Sequence, residues 1–254
     1  MAKININLKP DNSATSVEIE LIDRQSFLLQ YWNYKQGEHV TILGPTGSGK
    51  TTLAYELLKH SATEELPAVV LVMKPRDQTA AKYSKDLDFR VVRNWPPPKL
   101  KYIPKKPKGW TLWPKHTFNV TQDEHRMHTI FARAMMDCYK RGNRIVFADE
   151  LLGLTDDLQL DDEVRVILTR GRSMGCGFWS ASQRPFNVPM YAYDQAEHLF
   201  LAYDPDARTI KRYSEIGGVN PKLVSAITPQ LDKHQWLYIQ RSGKRGPALC
   251  IVQA

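Results

Sequence analysis

Residues 44 to 51 read Gly44-Pro45-Thr46-Gly47-Ser48-Gly49-Lys50-Thr51, with Thr52 beside them, and fill every fixed position of the pattern GxxxxGK(S/T). The context fits the pattern. An apolar strand, His39 to Leu43, precedes the glycines, and a helix-forming stretch, Thr51 to His60, follows. Glycines let the backbone wrap so that successive N–H groups point inward at an anion, next to the positive end of a helix. Lys50 is then placed to reach the β- and γ-phosphates of a nucleotide and the Thr51 hydroxyl to coordinate Mg2+. Such a loop confines the chain to folds that end a buried strand in an anion cradle.

The rest of the chain repeats that strand-then-helix rhythm. Ala68 to Met73 is a second apolar strand, and Arg144 to Ala148 a third. Thr121-Gln122-Asp123-Glu124 has the form of a capping box opening a helix that runs to Gly142. Asp161-Asp162-Glu163 puts negative charge at the start of another helix, which the pattern ends near Gly171. Gly177 to Ser182, Leu199 to Ala202, Trp236 to Gln240 and Ala248 to Val252 read as strands, and Asn220-Pro221 opens a short helix. At the start, Ile4 to Leu8 and Val17 to Leu21 alternate apolar and polar around Pro10-Asp11-Asn12-Ser13, which predicts a hairpin. The expectation is a single α/β domain over residues 1–254 with a mostly parallel central sheet.

Ile145 to Glu150 is an apolar strand ending in two adjacent carboxylates. Strand carboxyl ends in an open α/β sheet face the ligand crevice. Asp149 is therefore placed to hold a Mg2+ shell, and Glu150 to polarise an attacking water. Gln183, after the strand Gly177 to Ser182, is a candidate hydrogen-bond partner for a γ-phosphate or the lytic water. Cys176 reads as a small buried residue rather than a nucleophile.

Charge is distributed unevenly. The chain carries 35 Lys+Arg against 27 Asp+Glu, a formal net charge of +8. From Phe89 to Gln122 stand Arg90, Arg93, Lys99, Lys101, Lys105, Lys106, Lys108 and Lys115 with no acidic residue, so this window holds the whole excess. Trp95, Trp110, Trp113 and Tyr102 lie in it, with six of the sixteen prolines. Proline removes N–H donors and blocks both helix and central strand, so about residues 94–116 read as an inserted basic loop or arm. Lysines on phosphates and aromatics on bases or sugars would make it a nucleic-acid contact; the other reading is a solvated insertion whose tryptophans pack back on the body, and acidic lipid or an acidic protein are other partners a basic tract fits. The apolar run Ala68 to Met73 falls far short of the ~18–20 residues of a membrane span. Cys138, Cys176 and Cys250 lie far apart with no CxxC, and the beginning of the sequence lacks an apolar core, so a cytosolic protein is expected.

Three stretches in order, GPTGSGKTT, IVFADE and GRSMGCGFWSASQRP, resemble the FtsK–HerA superfamily of DNA-pumping ATPases. The last is similar to the family's GRAxGIHLxxATQRP signature at Gly171, Arg172, Gly175, Ala181, Gln183, Arg184 and Pro185. The resemblance spans about residues 37–203. It implies a RecA-like (ASCE) P-loop fold in which one strand separates the strand of the acidic pair from that of the glycine loop. It implies ATP and Mg2+ as cofactors, with Lys50 and Thr51 on phosphate and Mg2+, Asp149 on Mg2+, Glu150 as base and Gln183 as γ-phosphate sensor. Arg172 becomes the arginine finger reaching a neighbouring subunit's nucleotide, with Arg170 the other candidate. Lys74, in Val72-Met73-Lys74-Pro75-Arg76-Asp77, is similar to the lysine of a D-P-K turn in several relatives, with methionine here replacing the aspartate.

A stand-alone chain of this size looks most like the small genome-packaging ATPases of viruses. The resemblance then implies a homo-oligomeric ring, usually a hexamer, that translocates double-stranded DNA through sequence-independent backbone contacts. A capsid or portal-type partner would accompany it, in host cytoplasm or virion. The alternative from the same superfamily is an assembly, secretion or plasmid-transfer ATPase that moves protein or filament subunits. A GTPase switch is disfavoured because no NKxD occurs, and a small-molecule kinase because Glu150 activates the water that kinases exclude.

Overall fold

The computed structural model describes residues 2–7, 16–98, 106–216, 218–241 and 248–253. In chain order the elements begin with β1 (Ala2–Asn7), β2 (Ser16–Asp23) and the single turn α1 (Arg24–Ser26). There follow β3 (Val40–Leu43), α2 (Lys50–Ser61), β4 (Ala68–Leu71), α3 (Gln78–Asp86) and β5 (Arg90–Val92). Next come β6 (Gly109–Leu112), α4 (Val120–Arg141), β7 (Arg144–Ala148), α5 (Asp161–Met174) and β8 (Cys176–Ser182). The chain closes with α6 (Met190–Asp194), β9 (His198–Leu201), α7 (Ala207–Ser214), α8 (Pro221–Ile227), β10 (Gln235–Gln240) and β11 (Ala248–Gln253). This is the expected α/β class, and most of the strand pairings are parallel.

The residues form two compact units. The first comprises Met1–Asn33, Val40–Lys50 and Ser182–Ala254. Its strands run in the order β1-β2-β11-β10-β9-β3. β1 and β2 form the expected antiparallel pair, with Ile4 opposite Ile19; the predicted turn Pro10-Asp11-Asn12-Ser13 lies outside the described residues. β3 runs parallel to β9, while β10 is antiparallel to both β9 and β11. Fully buried Phe27 meets Tyr238 edge-on, ring centroids 4.8 Å apart, and Phe200 at 5.9 Å, a tilted aromatic core typical of close packing.

The second unit comprises Tyr34–His39 and Thr51–Ala181. Its strands are all parallel, in the order β8-β7-β4-β6-β5. A sheet covered on both faces needs strands apolar throughout rather than alternating. β4 and β8 are accordingly buried at every residue, and Val70, Phe147, Phe178, Phe131 and Ile167 are wholly buried. α4 carries its apolar stripe at Met127, Ile130, Phe131, Ala134, Met135 and Cys138, the 3–4 spacing of a helix lying on a sheet.

Two predicted boundaries move. α4 is capped by Asn119, whose side chain accepts from Gln122 N–H, and not by Thr121. Asp123, the third residue of the supposed capping box, instead accepts from the N–H groups of Thr117 and Phe118 and from the Thr117 hydroxyl. α5 continues past Gly171 to Met174, where Gly175 closes it in the left-handed conformation at φ 69°. Gly171 serves another end: a Cβ there would lie 2.4 Å from the Cys176 carbonyl oxygen, so only glycine lets the helix lie so close to β8.

The largest correction concerns the basic segment. β6 lies inside it and pairs with strands on both sides, Gly109 opposite Ala68 and Trp110 opposite Arg90. Lys108 to Trp113, between Pro107 and Pro114, contains no proline, so its N–H donors survive to make a ladder. Trp95 is buried, its Nε1 donating to Asp137 at 2.9 Å and its ring edge-on to Trp110 at 5.7 Å. Trp113 Nε1 donates to the Lys74 carbonyl at 2.8 Å. All three tryptophans are thus engaged within the protein, against the reading that they stack on bases. Lys106, Lys108 and Lys115 are exposed, while Tyr102, Lys99, Lys101 and Lys105 lie outside the described residues. No described helix is long and apolar enough to cross a membrane.

Buried His39 makes stability depend on pH. Its Nδ1 accepts the Phe178 N–H at 2.9 Å, and burial, reinforced by the Arg172 charge, lowers its pKa to about 4. An unfolded imidazole titrates near ~6.5, so between those values the unfolded chain binds the extra proton. Stability should therefore fall as pH drops through that window, by at most about 1.4 kcal/mol per pH unit, and level off below it. Denaturant titrations from pH 7 to 4 check this; His39→Asn, which keeps an acceptor in place of Nδ1, should lose that component.

Candidate functional site

In the first unit the loop after β3 takes the shape an anion cradle needs. Gly47 and Gly49 have φ of 80° and 93°, values that L side chains rarely adopt. Gly44 is required for space, since a Cβ would lie 2.6 Å from the Ala202 side chain. Lys50, only 7% exposed, folds its ammonium over its own loop, donating to the carbonyls of Gly44 at 2.7 Å and Pro45 at 2.8 Å. The Ser48 hydroxyl is buried without a hydrogen-bond partner among the described residues, a polar atom at the cradle still lacking its acceptor or donor. Thr46 Oγ1 donates to Gln183 Oε1 at 2.7 Å, so the sensor candidate is tied to the loop and its amide hydrogens remain as donors.

In the second unit the acidic pair follows β7 as expected. Thr51 Oγ1 donates to Asp149 Oδ1 at 2.7 Å, and Lys74 Nζ lies 3.6 Å from Asp149 Oδ2 and 3.9 Å from Asp77. Thr51, Tyr55, Lys74, Asp77, Asp149 and Glu150 line a cleft of about 20 Å³, space for one water or ion. The Thr51 hydroxyl and the Asp149 and Glu150 carboxylates are hard oxygen donors of the kind that fits a divalent cation such as Mg2+. Burial, with Asp149 and Asp77 nearby, pushes the Tyr55 phenol pKa well up, so it stays a neutral wall of the cleft.

Arg172 and Arg170 are not at this end of the unit. Both are exposed in the last turns of α5, before β8 begins. Ala148 pairs with Ser180 and Arg144 with Cys176, so Asp149 stands about 16 Å up the strands from the start of β8. Neither arginine can reach the carboxylates of its own unit. Cys176 is buried and its thiol is pushed up to about 12 by that burial, leaving no thiolate for chemistry.

Two participants escaped the sequence reading. Trp113, grouped there with nucleic-acid contacts, fixes the backbone of Lys74. His234, which no motif flagged, places Nδ1 3.2 Å from the Ser48 carbonyl in the glycine loop.

A glycine loop between a buried strand and a helix, within an α/β fold rich in parallel strands, is the fold of the P-loop NTPases. No protein-family profile and no curated protein sequence matches the chain. Solved structures do. The DNA-packaging ATPase B204 from Sulfolobus turreted icosahedral virus matches with a TM-score of 0.60 and 16% identity, over 85% of this chain and 98% of that one. The genome packaging NTPase B204 from Sulfolobus turreted icosahedral virus 2 in complex with ATP-gammaS matches at 0.55 and 14%, over 85% and 98%. EssC (ATPases 2 and 3) from Geobacillus thermodenitrificans matches at 0.50 and 12%, over 99% of this chain and 44% of that one. At such identities the likeness is one of fold.

Proposed function

We propose that the chain is a Mg2+-dependent ATPase of the FtsK–HerA type, a single domain acting in a homo-oligomeric ring that drives double-stranded DNA in genome packaging. The observation that carries the nucleotide reading is the Thr51–Asp149 hydrogen bond, which joins the residue after the P-loop lysine to the first carboxylate of the acidic pair. The packaging reading draws on the similarity in fold to the two viral ATPases and on the QRP-ending segment at Gln183.

Lys50 binds the β- and γ-phosphates by exchanging the Gly44 and Pro45 carbonyls for phosphate oxygens. The backbone N–H groups of Gly47 to Thr51, with Thr52 behind them, take the remaining phosphate oxygens. Thr51 and Asp149 would hold Mg2+, which would supply positive charge to offset the negative charge of phosphoryl transfer. Glu150, beside them, orients a water and accepts its proton. Gln183 donates its amide hydrogens to the γ-phosphate or that water. Arg172 of an adjacent subunit offsets the transition-state charge, with Arg170 the second candidate.

The test is the rate of ATP hydrolysis with and without long duplex DNA. Stimulation by DNA supports the proposal, stimulation by a protein partner alone favours an assembly or secretion ATPase, and absence of hydrolysis under all conditions rejects both. DNA binding through lysines on phosphates makes affinity fall steeply with salt. Replacing Lys106 and Lys108 by alanine should reduce the slope of log K against log salt by about one unit for each phosphate no longer neutralised, measured by anisotropy of a labelled duplex. An unchanged slope would remove Lys106 and Lys108 from the grip.

A further inference from the structure

Within the first unit, one side chain from far along the sequence bears on the phosphate loop. His234 lies 186 residues after Ser48 and places Nδ1 3.2 Å from the Ser48 carbonyl oxygen. That oxygen can only accept, so Nδ1 carries the proton. The same nitrogen would lie 3.4 Å from a Cβ built on Gly49, so the ring rests against the bare Cα of that residue. His234 does this from an uncommon backbone. Its φ is 67°, in the left-handed region that residues with a Cβ avoid. The turn is held there by Asp232 N–H donating to Gln235 Oε1 and Gln235 N–H donating to the Asp232 carbonyl.

The geometry of the peptide bond says what this hydrogen bond does. In a trans peptide the carbonyl of residue 48 and the N–H of residue 49 point in opposite directions. Holding the Ser48 carbonyl from outside therefore aims the Gly49 N–H the other way, toward the anion. Glycine at φ 93° leaves that peptide free to rotate with little steric cost, so its orientation needs an external hold. We propose that His234 is a positioning residue for nucleotide binding: its Nδ1–H fixes the Ser48–Gly49 peptide with the amide hydrogen facing the phosphates. Strain kept at a residue that aims a binding group is a known signature of functional sites. The proposal deepens the P-loop reading and rests on it.

Three variants separate aiming from mere support. His234→Ala removes the donor and should weaken binding of a fluorescent ATP analogue roughly tenfold, the scale of one hydrogen bond to a charged group. His234→Gly removes the donor too but suits the left-handed backbone, so its Tm should equal or exceed that of the parent while the analogue still binds roughly tenfold more weakly. His234→Asn tolerates that backbone and keeps an N–H donor, and should recover most of the affinity. A merely supporting role would make affinity follow Tm and leave the glycine variant binding normally. Normal binding by the glycine variant, or an asparagine variant no better than alanine, overturns the proposal. Lys50→Ala is the control. If it abolishes binding while the His234 variants bind normally, only the inference about His234 falls; if the parent protein binds no nucleotide, the P-loop reading falls with it.

Discussion

If the proposed function holds, Arg172→Ala is expected to leave nucleotide binding intact and to lower ATP turnover by about 10³–10⁵-fold, the range an arginine finger supplies. Arg172 is exposed at the end of α5, and the start of β8 lies about 16 Å down the strands from the acidic pair of its own unit. Within its own unit the guanidinium is remote from Asp149 and Glu150, so under the proposed function it would serve a γ-phosphate on another copy of the chain. A mixing experiment reads this directly. Arg172→Ala and Glu150→Gln subunits should each be inactive alone, but in the proposed ring a mixture would contain interfaces pairing an intact Glu150 with an intact Arg172. Activity should reappear on mixing. If the arginine worked within its own subunit, every subunit in the mixture would lack one group and nothing would return. Arg170→Ala run in parallel decides between the two arginines.

Glu150→Gln should retain ATP and lose turnover by about 10²–10⁴-fold, the usual worth of a positioned general base. The amide keeps the size of the carboxylate and its place after β7, while giving up the proton-accepting oxygen. Asp149, which accepts from Thr51, is untouched, so the binding cleft persists. Equilibrium binding of an ATP analogue beside a steady-state phosphate-release assay measures both halves. Turnover at the parental rate would mean that another group activates the water.

Much of this site was legible because its chemistry is local. The glycine loop needs consecutive residues in fixed order, and the strand Arg144–Ala148 announces itself by an apolar run that stops at two carboxylates. Other parts depended on neighbours that sequence does not name. The capping pattern at Thr121 was satisfied on paper, but Asn119 took the role because Asp123 turned back to Thr117 and Phe118. β5 is three residues long, too short to show a period, and α3 was missed with it. Proline density counted across residues 94–116 hid the proline-free run that becomes β6. Sequence left open whether the tryptophans there meet a ligand or pack on the body, because Asp137, which receives Trp95, comes from α4 much later in the chain. His234 had no signature at all, since its partner is a backbone carbonyl.

The posture of Lys50 has a consequence for timing. A cation this deeply enclosed is costly to leave uncompensated, yet here two main-chain oxygens of its own loop already solvate it. If the proposed hydrolysis takes place, departure of product would not strand the ammonium, which keeps the Gly44 and Pro45 carbonyls as a second berth within reach.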